Sequence, residues 1–406
     1  MKKSRNVSRR KFVKAGIAAP MLATSAGAAK VVRPASDIYK KLGVRTFINA
    51  YGTLTTLSGT LMPVEVIQAM EQASRNFVAI HELQEKVGQR LAELTGAEAA
   101  FVTAGASAAL CLATCAVTAG DDVEKIKRLP DLTGMKSEMV IQKVHRNSYD
   151  HAFRMVGVKL VEAETAEQVR AAINGKTAAL AMVLSHNSLG HQVELPEMID
   201  IAHKAGLPLI LDAAAEVPPA ENLGKFAKMG ADLVAFSGGK NLRGPQCSGI
   251  LLGRKDLVKK AYVNSAPSNY FARIAKVGKE EIVGLLAAVE LSLKKDHAAE
   301  RREYHAMLDR VAQRLKGVPT VFTELIPNDD YSHSPRLSVQ WDEARLGVTL
   351  GEMMKLLREG EPAIVATDMT RYRPAWKGLG IFPYNLLPGE EMIVADRVKE
   401  ILTKKT

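Results

Sequence analysis

The chain has 406 residues, 47% of them apolar and 24% charged, which are globular values that exclude a disordered tail, a collagen-like repeat and a disulfide-dense mini-protein. Its formal charge of +11 is uneven: residues 1–28 carry seven Lys and Arg and no acid, leaving about +4 on the rest. No basic stripe with interleaved aromatics remains, so nucleic acid is not an expected partner, and no apolar run is long enough for a membrane-spanning helix.

The first element in chain order is a leader. A basic start precedes Ser8-Arg9-Arg10-Lys11-Phe12-Val13-Lys14, then an Ala/Gly-rich stretch from Ala15 to Ala23 and the small run Ser25-Ala26-Gly27-Ala28-Ala29. This order resembles a twin-arginine export signal cut after Ala28 and predicts a periplasmic protein. A basic tail on a cytoplasmic protein is the alternative. The expected organisation is a signal over 1–28, an N-terminal arm over 29–62, a large α/β domain over 63–278, and a connecting helix with a small α+β domain over 279–406.

Residues 62–95 read as helical, with Pro63 in a helix-start position. Short apolar runs then predict strands at 99–103, 139–145, 158–162, 178–184, 208–212, 232–237 and 249–252, with helices at 107–117 and 196–205 among the intervening stretches. That alternation predicts an α/β domain with a largely parallel sheet, whose ligands bind at the carboxyl ends of its strands. One long charged helix is expected over 279–316, then strands at 336–340 and 363–367 and a last helix after Pro388. Cys111, Cys115 and Cys247 make a poor disulfide framework. Cys111 and Cys115, four apart on a buried helix, read as core thiols. The nine histidines show no zinc-binding spacing.

Three segments carry the chemistry. In Phe236-Ser237-Gly238-Gly239-Lys240 a buried strand runs into a glycine-rich loop ending in lysine. Lysine is costly to bury unless its charge state changes or its amine is used covalently, so Lys240 is placed to form a Schiff base; a solvated turn lysine is the alternative. In Pro208-Leu209-Ile210-Leu211-Asp212 an apolar strand ends in one carboxylate, which needs a cationic partner. The protonated pyridine nitrogen of pyridoxal 5'-phosphate is such a partner, and a helix cap is the competing reading. Asp212 precedes Lys240 by one strand–helix–strand excursion, so both end neighbouring or near-neighbouring strands. In Thr103-Ala104-Gly105-Ala106-Ser107 a strand passes into a helix through small residues, which suits a phosphate held by Gly105, Ala106 and Ser107, with Ser237 converging on it.

Phosphate loop, Asp and Lys in that order resemble the fold-type I pyridoxal-phosphate enzymes. Ser237-Gly238-Gly239-Lys240-Asn241-Leu242-Arg243-Gly244-Pro245-Gln246 and Arg45-Thr46-Phe47-Ile48-Asn49-Ala50-Tyr51-Gly52 are similar to motifs of the bacterial seryl-tRNA selenium transferase superfamily. Glu82-Leu83-Gln84-Glu85-Lys86-Val87-Gly88 and Asp212-Ala213-Ala214-Ala215-Glu216-Val217-Pro218-Pro219 look most like its D-glucosaminate-6-phosphate ammonia-lyase branch. The similarity covers roughly residues 37–402. It implies a fold-type I α/β enzyme and a homodimer or higher homo-oligomer. The activity it implies is ammonia-lyase chemistry on a 2-amino-3-hydroxy acid of the amino sugar acid type. Transamination and aldol cleavage share the same lysine site and stay open. So do a tRNA-linked transferase, against which the missing N-terminal region argues, and a non-catalytic exported binding protein.

Further positions are expected around the site. His145 ends a strand where this fold stacks a side chain on the cofactor ring, with Asn147 and Tyr149 as rivals. Asn187 follows a strand and is placed to donate to the ring hydroxyl, though a simple turn fits as well. Arg371 and Arg373 are candidates to clamp a substrate carboxylate, with Arg243 competing. Lys276 and Lys279 are placed either to reach a neighbouring subunit's site or to start a solvated helix.

Overall fold

The computed structural model describes residues 37–184, 193–327, 334–372 and 375–404. The leader, Asn187 and Arg373 lie outside these residues. Seven strands form the central sheet: β1 (Ala99–Thr103), β2 (Glu138–Gln142), β3 (Lys159–Ala163), β4 (Thr177–Val183), β5 (Leu209–Asp212), β6 (Leu233–Ser237) and β7 (Gly249–Gly253). Their order is β1-β7-β6-β5-β4-β2-β3. Every pairing is parallel except those of β7, which runs antiparallel to β1 and β6. The largely parallel sheet of the sequence reading is therefore present, with one reversed strand near its edge.

Both faces of the sheet are covered, which is why its central strands β4, β5, β6 and β7 are buried and mostly apolar, whereas the edge strand β3 exposes Lys159 and Glu162. Val234 and Phe236 of β6 pack on one side with Val87 and Leu91 of helix Ile80–Thr95, Met198 of helix Leu195–Lys204, and Leu285 of helix Lys279–Lys294. Leu233 and Ala235 point the other way, toward Leu110 and Leu112 of helix Ala106–Thr118 and Leu257 of helix Lys255–Val263. Helix Ala106–Thr118 is buried over its whole middle, Ala109 to Ala116, and so lacks a polar face. Cys111 and Cys115 lie in that buried run as free thiols, as read from their spacing.

The charged segment expected as one helix over 279–316 is two, Lys279–Lys294 and His297–Leu315. The break has a local cause. Lys295 is extended, and the Asp296 side chain accepts from the Ala299 N–H, starting a new helix. The C-terminal region carries an antiparallel four-stranded sheet in the order Thr367–Asp368, Leu379–Ile381, Arg336–Gln340, Phe322–Ile326. Phe47–Asn49 pairs in parallel with Ala363–Val365, and Ile48 joins the core of this region with Leu337, Leu379 and Val394. Part of the N-terminal arm thus belongs physically to the small domain.

Candidate active site

Strand register brings the three chemical segments together. Thr103 of β1 and Ser237 of β6 both pair with Gly249 of β7, so all three lie at one level at the mouth of the sheet. One strand further on, Asp212 pairs with Ala235 on one side and Val183 on the other. Lys240 follows Ser237 by three residues, and Ala106 follows Thr103 by three.

The candidate phosphate loop has a built geometry. Gly105 stands at φ +90°, a left-handed backbone that disfavours any side chain, and caps helix Ala106–Thr118. Its backbone lies against Gly249, where a Cβ would fall 2.5 Å from Gly105 C and 2.8 Å from Ala106 N. The loop is thus a close-packed helix N-terminus, with Ser107 exposed beside it. Backbone N–H groups and the helix dipole at such a turn suit a phosphate.

Asp212 is 8% exposed, and its Oδ1 accepts from Ala214 N–H at 3.0 Å. It therefore stabilises its own turn, and no helix begins there for it to cap, while its charge acts on Lys240. Burial holds the Lys240 amine below its ordinary pKa, opposed by the charges of Asp212 and then Glu216. Thr60 Oγ1 donates to the Lys240 carbonyl at 2.9 Å, and Asn385 Nδ2 donates to the Gly52 carbonyl at 3.0 Å and to Gly59 at 3.3 Å. Arm and small domain together therefore close around the lysine loop.

Arg243 is next to that loop but is engaged. It takes a left-handed φ of 56°, and its guanidinium donates to the Tyr384 carbonyl at 2.7 Å and the Tyr304 hydroxyl at 3.3 Å. Tyr304 in turn donates to Glu300 at 2.6 Å. Burial raises the Glu300 carboxyl, yet hydrogen bonds from His297, Lys295 and Tyr304 bring it down to about 2. Arg243 thus fastens the loop to the small domain. Arg371 is exposed on the short helix Met369–Arg371.

His145 differs from expectation. It is fully enclosed, and its Nδ1 accepts from Val183 N–H at 3.5 Å, so it braces the floor of the site and presents no open face to a ring. Asn147 donates to the His145 carbonyl, and Tyr149 is exposed. Lys279 is half-buried and pairs with Glu280 at the start of its helix.

The arginine that sequence reasoning missed is Arg336, 5% exposed on strand Arg336–Gln340. Its guanidinium lies 4.7 Å from the Trp376 ring centre and 5.7 Å from that of Phe382. Tyr372 meets Phe382 edge-on at 5.0 Å, Tyr384 stacks on Phe382 at 6.1 Å, and Tyr51 meets Tyr372 at 6.4 Å. Burial raises the pKa of both Tyr372 and Tyr384. An aromatic wall with one buried cation therefore adjoins the lysine loop through Tyr384. The signal available was an arginine opening a short strand that carries Leu337 and Val339, a position that asks for a partner if the strand is buried.

A family model described as L-seryl-tRNA selenium transferase matches residues 47–347. The chain is 32% identical to the D-glucosaminate-6-phosphate ammonia lyase of Salmonella typhimurium (strain 14028s / SGSC 2262), covering 90% of this chain and 98% of that one. It is 33% identical to the 5'-C-glycyluridine monooxygenase-decarboxylase of a Streptomyces species, covering 90% and 92%. A solved structure of D-glucosaminate-6-phosphate ammonia-lyase superposes with a TM-score of 0.78 at 30% identity, over 91% of this chain and 99% of that one. The architecture is that of the fold-type I pyridoxal-phosphate enzymes.

Proposed function

The chain belongs to the L-seryl-tRNA selenium transferase family, and on that premise we propose that it is an ammonia-lyase acting on a 2-amino-3-hydroxy acid. It is a pyridoxal 5'-phosphate enzyme. The residues present fit that cofactor. A glycine-packed helix N-terminus, a carboxylate at a strand end and a lysine amine with lowered pKa converge at one mouth. Gly105, Ala106, Ser107 and Ser237 would hold the phosphate, Asp212 the ring nitrogen, and Lys240 the aldehyde carbon.

Pyridoxal phosphate supplies an electron sink for charge developing at the substrate Cα. The protein's part is positional and protonic. Lys240 Nζ, once free, accepts the Cα proton, and its lowered pKa leaves more of the amine unprotonated for that role. Asp212 keeps a proton on the ring nitrogen. Arg336, set between Trp376 and Phe382, holds the substrate carboxylate and so orients the Cα–H bond. Loss of the C3 hydroxyl then leads to a 2-keto acid and ammonia.

The observation that carries this reading is the similarity to the Salmonella lyase along nearly the whole of both chains, joined to a complete lysine–aspartate site. An amino sugar acid is the substrate class we favour on the same ground. The test is a screen of amino hydroxy acids in deuterated water. One ammonia per turnover, with deuterium at C3 of the keto acid, is expected. A requirement for a second keto acid would make the enzyme an aminotransferase, and release of glycine with an aldehyde an aldolase. Oxygen uptake with loss of carbon dioxide would align it with the Streptomyces relative.

Export of the folded, loaded enzyme belongs to the same proposal and rests on the leader sequence alone. Replacing Arg9 and Arg10 by Lys is expected to retain the yellow protein in the cytoplasm; unchanged periplasmic yield would overturn it.

A further inference from the structure

The stretch Glu82–Gly88 stands out in the sequence, and the mechanism above leaves it idle. It lies on helix Ile80–Thr95, which packs along β1. β1 stands at the edge of the sheet, paired with β7 alone among the described strands. On its open side the helix takes the place of a neighbouring strand. Gln84 Nε2 donates to the Val102 carbonyl at 2.8 Å, and Gln84 Oε1 accepts from the Val102 N–H at 3.1 Å. One turn later Gly88 lets the helix backbone close on the strand, since a Cβ there would fall 2.2 Å from the Ala100 carbonyl oxygen. Ala100 and Val102 are two apart, so both turn their backbone groups to the same edge. Gln84 is 4% exposed, and Val87 and Leu91 on the same buried face are apolar. Covering the strand needs only an apolar side chain. Holding both backbone groups of one residue needs the paired donor and acceptor of an amide.

Val102 is also the last step before the turn assigned to the phosphate. Thr103 follows it, pairs with Gly249 of β7, and donates from Oγ1 to the Gly105 carbonyl at 3.0 Å. Gly249 packs against Gly105 and Ala106 from the β7 side. The turn is thus located from two flanks: Gly249 on one, and Gln84, through Val102 and Thr103, on the other. We propose that Gln84 is a positioning residue for the cofactor phosphate. By fixing Val102 it sets the place of the backbone N–H groups at Gly105, Ala106 and Ser107, and so the protein's preference for pyridoxal 5'-phosphate over pyridoxal. Groups that grip a ligand must be held to within about 0.5 Å, which an edge strand free on one side does not ensure. The inference rests on the assignment of that turn to the phosphate.

The test is a competition on the full-length holoenzyme. Wild type and Gln84→Met are equilibrated with mixtures of pyridoxal phosphate and pyridoxal and then fixed with borohydride. Mass spectrometry quantifies the phosphopyridoxyl and pyridoxyl forms of the Lys240 peptide. Methionine fills a similar space and offers Val102 neither bond. Its ratio is expected to move toward pyridoxal by about 10–100-fold, the range found when supports behind ligand-holding groups are removed at metal sites. Val169→Ala, a core truncation beside β3 at the opposite edge of the sheet, controls for lost stability and should leave the ratio within about threefold of wild type. An unchanged ratio in Gln84→Met, or a shift no larger than that of Val169→Ala, makes Gln84 a structural residue only and overturns the proposal. Should Gln84→Met not fold, Gln84→Ala is read by the same outcomes; its gap joins the surface groove beside His81 and Tyr262 and admits water to both Val102 groups. Gly249→Ala, which displaces the turn itself, separates the two claims. If it moves the ratio and the Gln84 variant does not, the Gln84 assignment alone falls. If neither moves it, the phosphate lies elsewhere and both readings fall.

Discussion

The Arg243 guanidinium donates to the Tyr384 carbonyl at 2.7 Å, joining the lysine loop to the small domain. Arg243→Gln is therefore expected to lower unfolding free energy by about 1.5–3 kcal/mol, the range for a hydrogen bond from a charged donor. KM should change by less than about tenfold if Arg243 does not touch substrate. Denaturant unfolding and steady-state kinetics check both. A large rise in KM at unchanged stability would return Arg243 to the role of carboxylate clamp.

Glu300 supports that link from below, and its titration gives a pH signature. Its folded value, about 2, lies below its ordinary 4.5. The stabilisation is thus fully present above pH 4.5 and is lost as pH falls toward 2. Glu300→Gln should lower stability at neutral pH and flatten its decline across this acidic window. Urea unfolding of both proteins at a series of pH values measures the difference; parallel curves would remove Glu300 from the account.

Gly249 tolerates no side chain, because a Cβ there meets the backbone of Gly105 and Ala106. Gly249→Ala must push the phosphate loop outward. Bound pyridoxal phosphate should dissociate at least about tenfold faster, with a stability loss of about 1–3 kcal/mol from overpacking. Visible absorbance after dilution follows the cofactor. Unchanged retention would show that the phosphate lies elsewhere.

Lys240 and Asp212 are tested as a pair. Borohydride should fix a pyridoxyl group on the peptide containing Lys240 and on no other. Asp212→Asn should fold and keep some cofactor but lose most turnover, since it removes the charge facing the ring nitrogen at constant size. Label on another lysine, or wild-type turnover in the variant, would contradict these roles.

Arg336 and Arg371 differ in burial, and so should their variants. Arg336→Lys loses the planar fork that recognises a carboxylate and stacks on rings, and KM should rise by about 100-fold. Arg371→Ala, at an exposed position, should leave KM near wild type. The reverse result would place the carboxylate at Arg371.

Much of this arrangement was legible in the chain itself. The strand at 99–103 is as expected, and 208–212 and 232–237 differ from the observed strands by a single residue at one end. Buried parallel strands announce themselves as short apolar runs, and the residues that interrupt them at their ends, Asp212 and Lys240, stand out by cost. The small residues 104–106 pointed to a close turn into a helix, although small residues also serve close helix packing, and the contact with Gly249 shows the close approach. Other positions depend on partners distant in sequence. Phe47–Asn49 has the look of an arm until Ala363–Val365 pairs with it. His145 is a plausible stacking residue until the sheet closes over it and Val183 N–H engages its ring.

By itself, then, the sequence determined the alternating architecture and singled out Lys240, Asp212 and the turn at 104–106 as the candidates for lysine, carboxylate and phosphate turn. Those follow from local pattern and from the expense of burying charge. Tertiary structure decided which arginine is enclosed. Arg336, Arg243 and Arg371 are equivalent in composition, and only packing separates them: one between Trp376 and Phe382, one tied to Tyr384, one in solvent. It likewise decided that Glu216 acts on Lys240 as a second buried carboxylate, since β5 and β6 must lie side by side before a residue following one can act on a residue following the other.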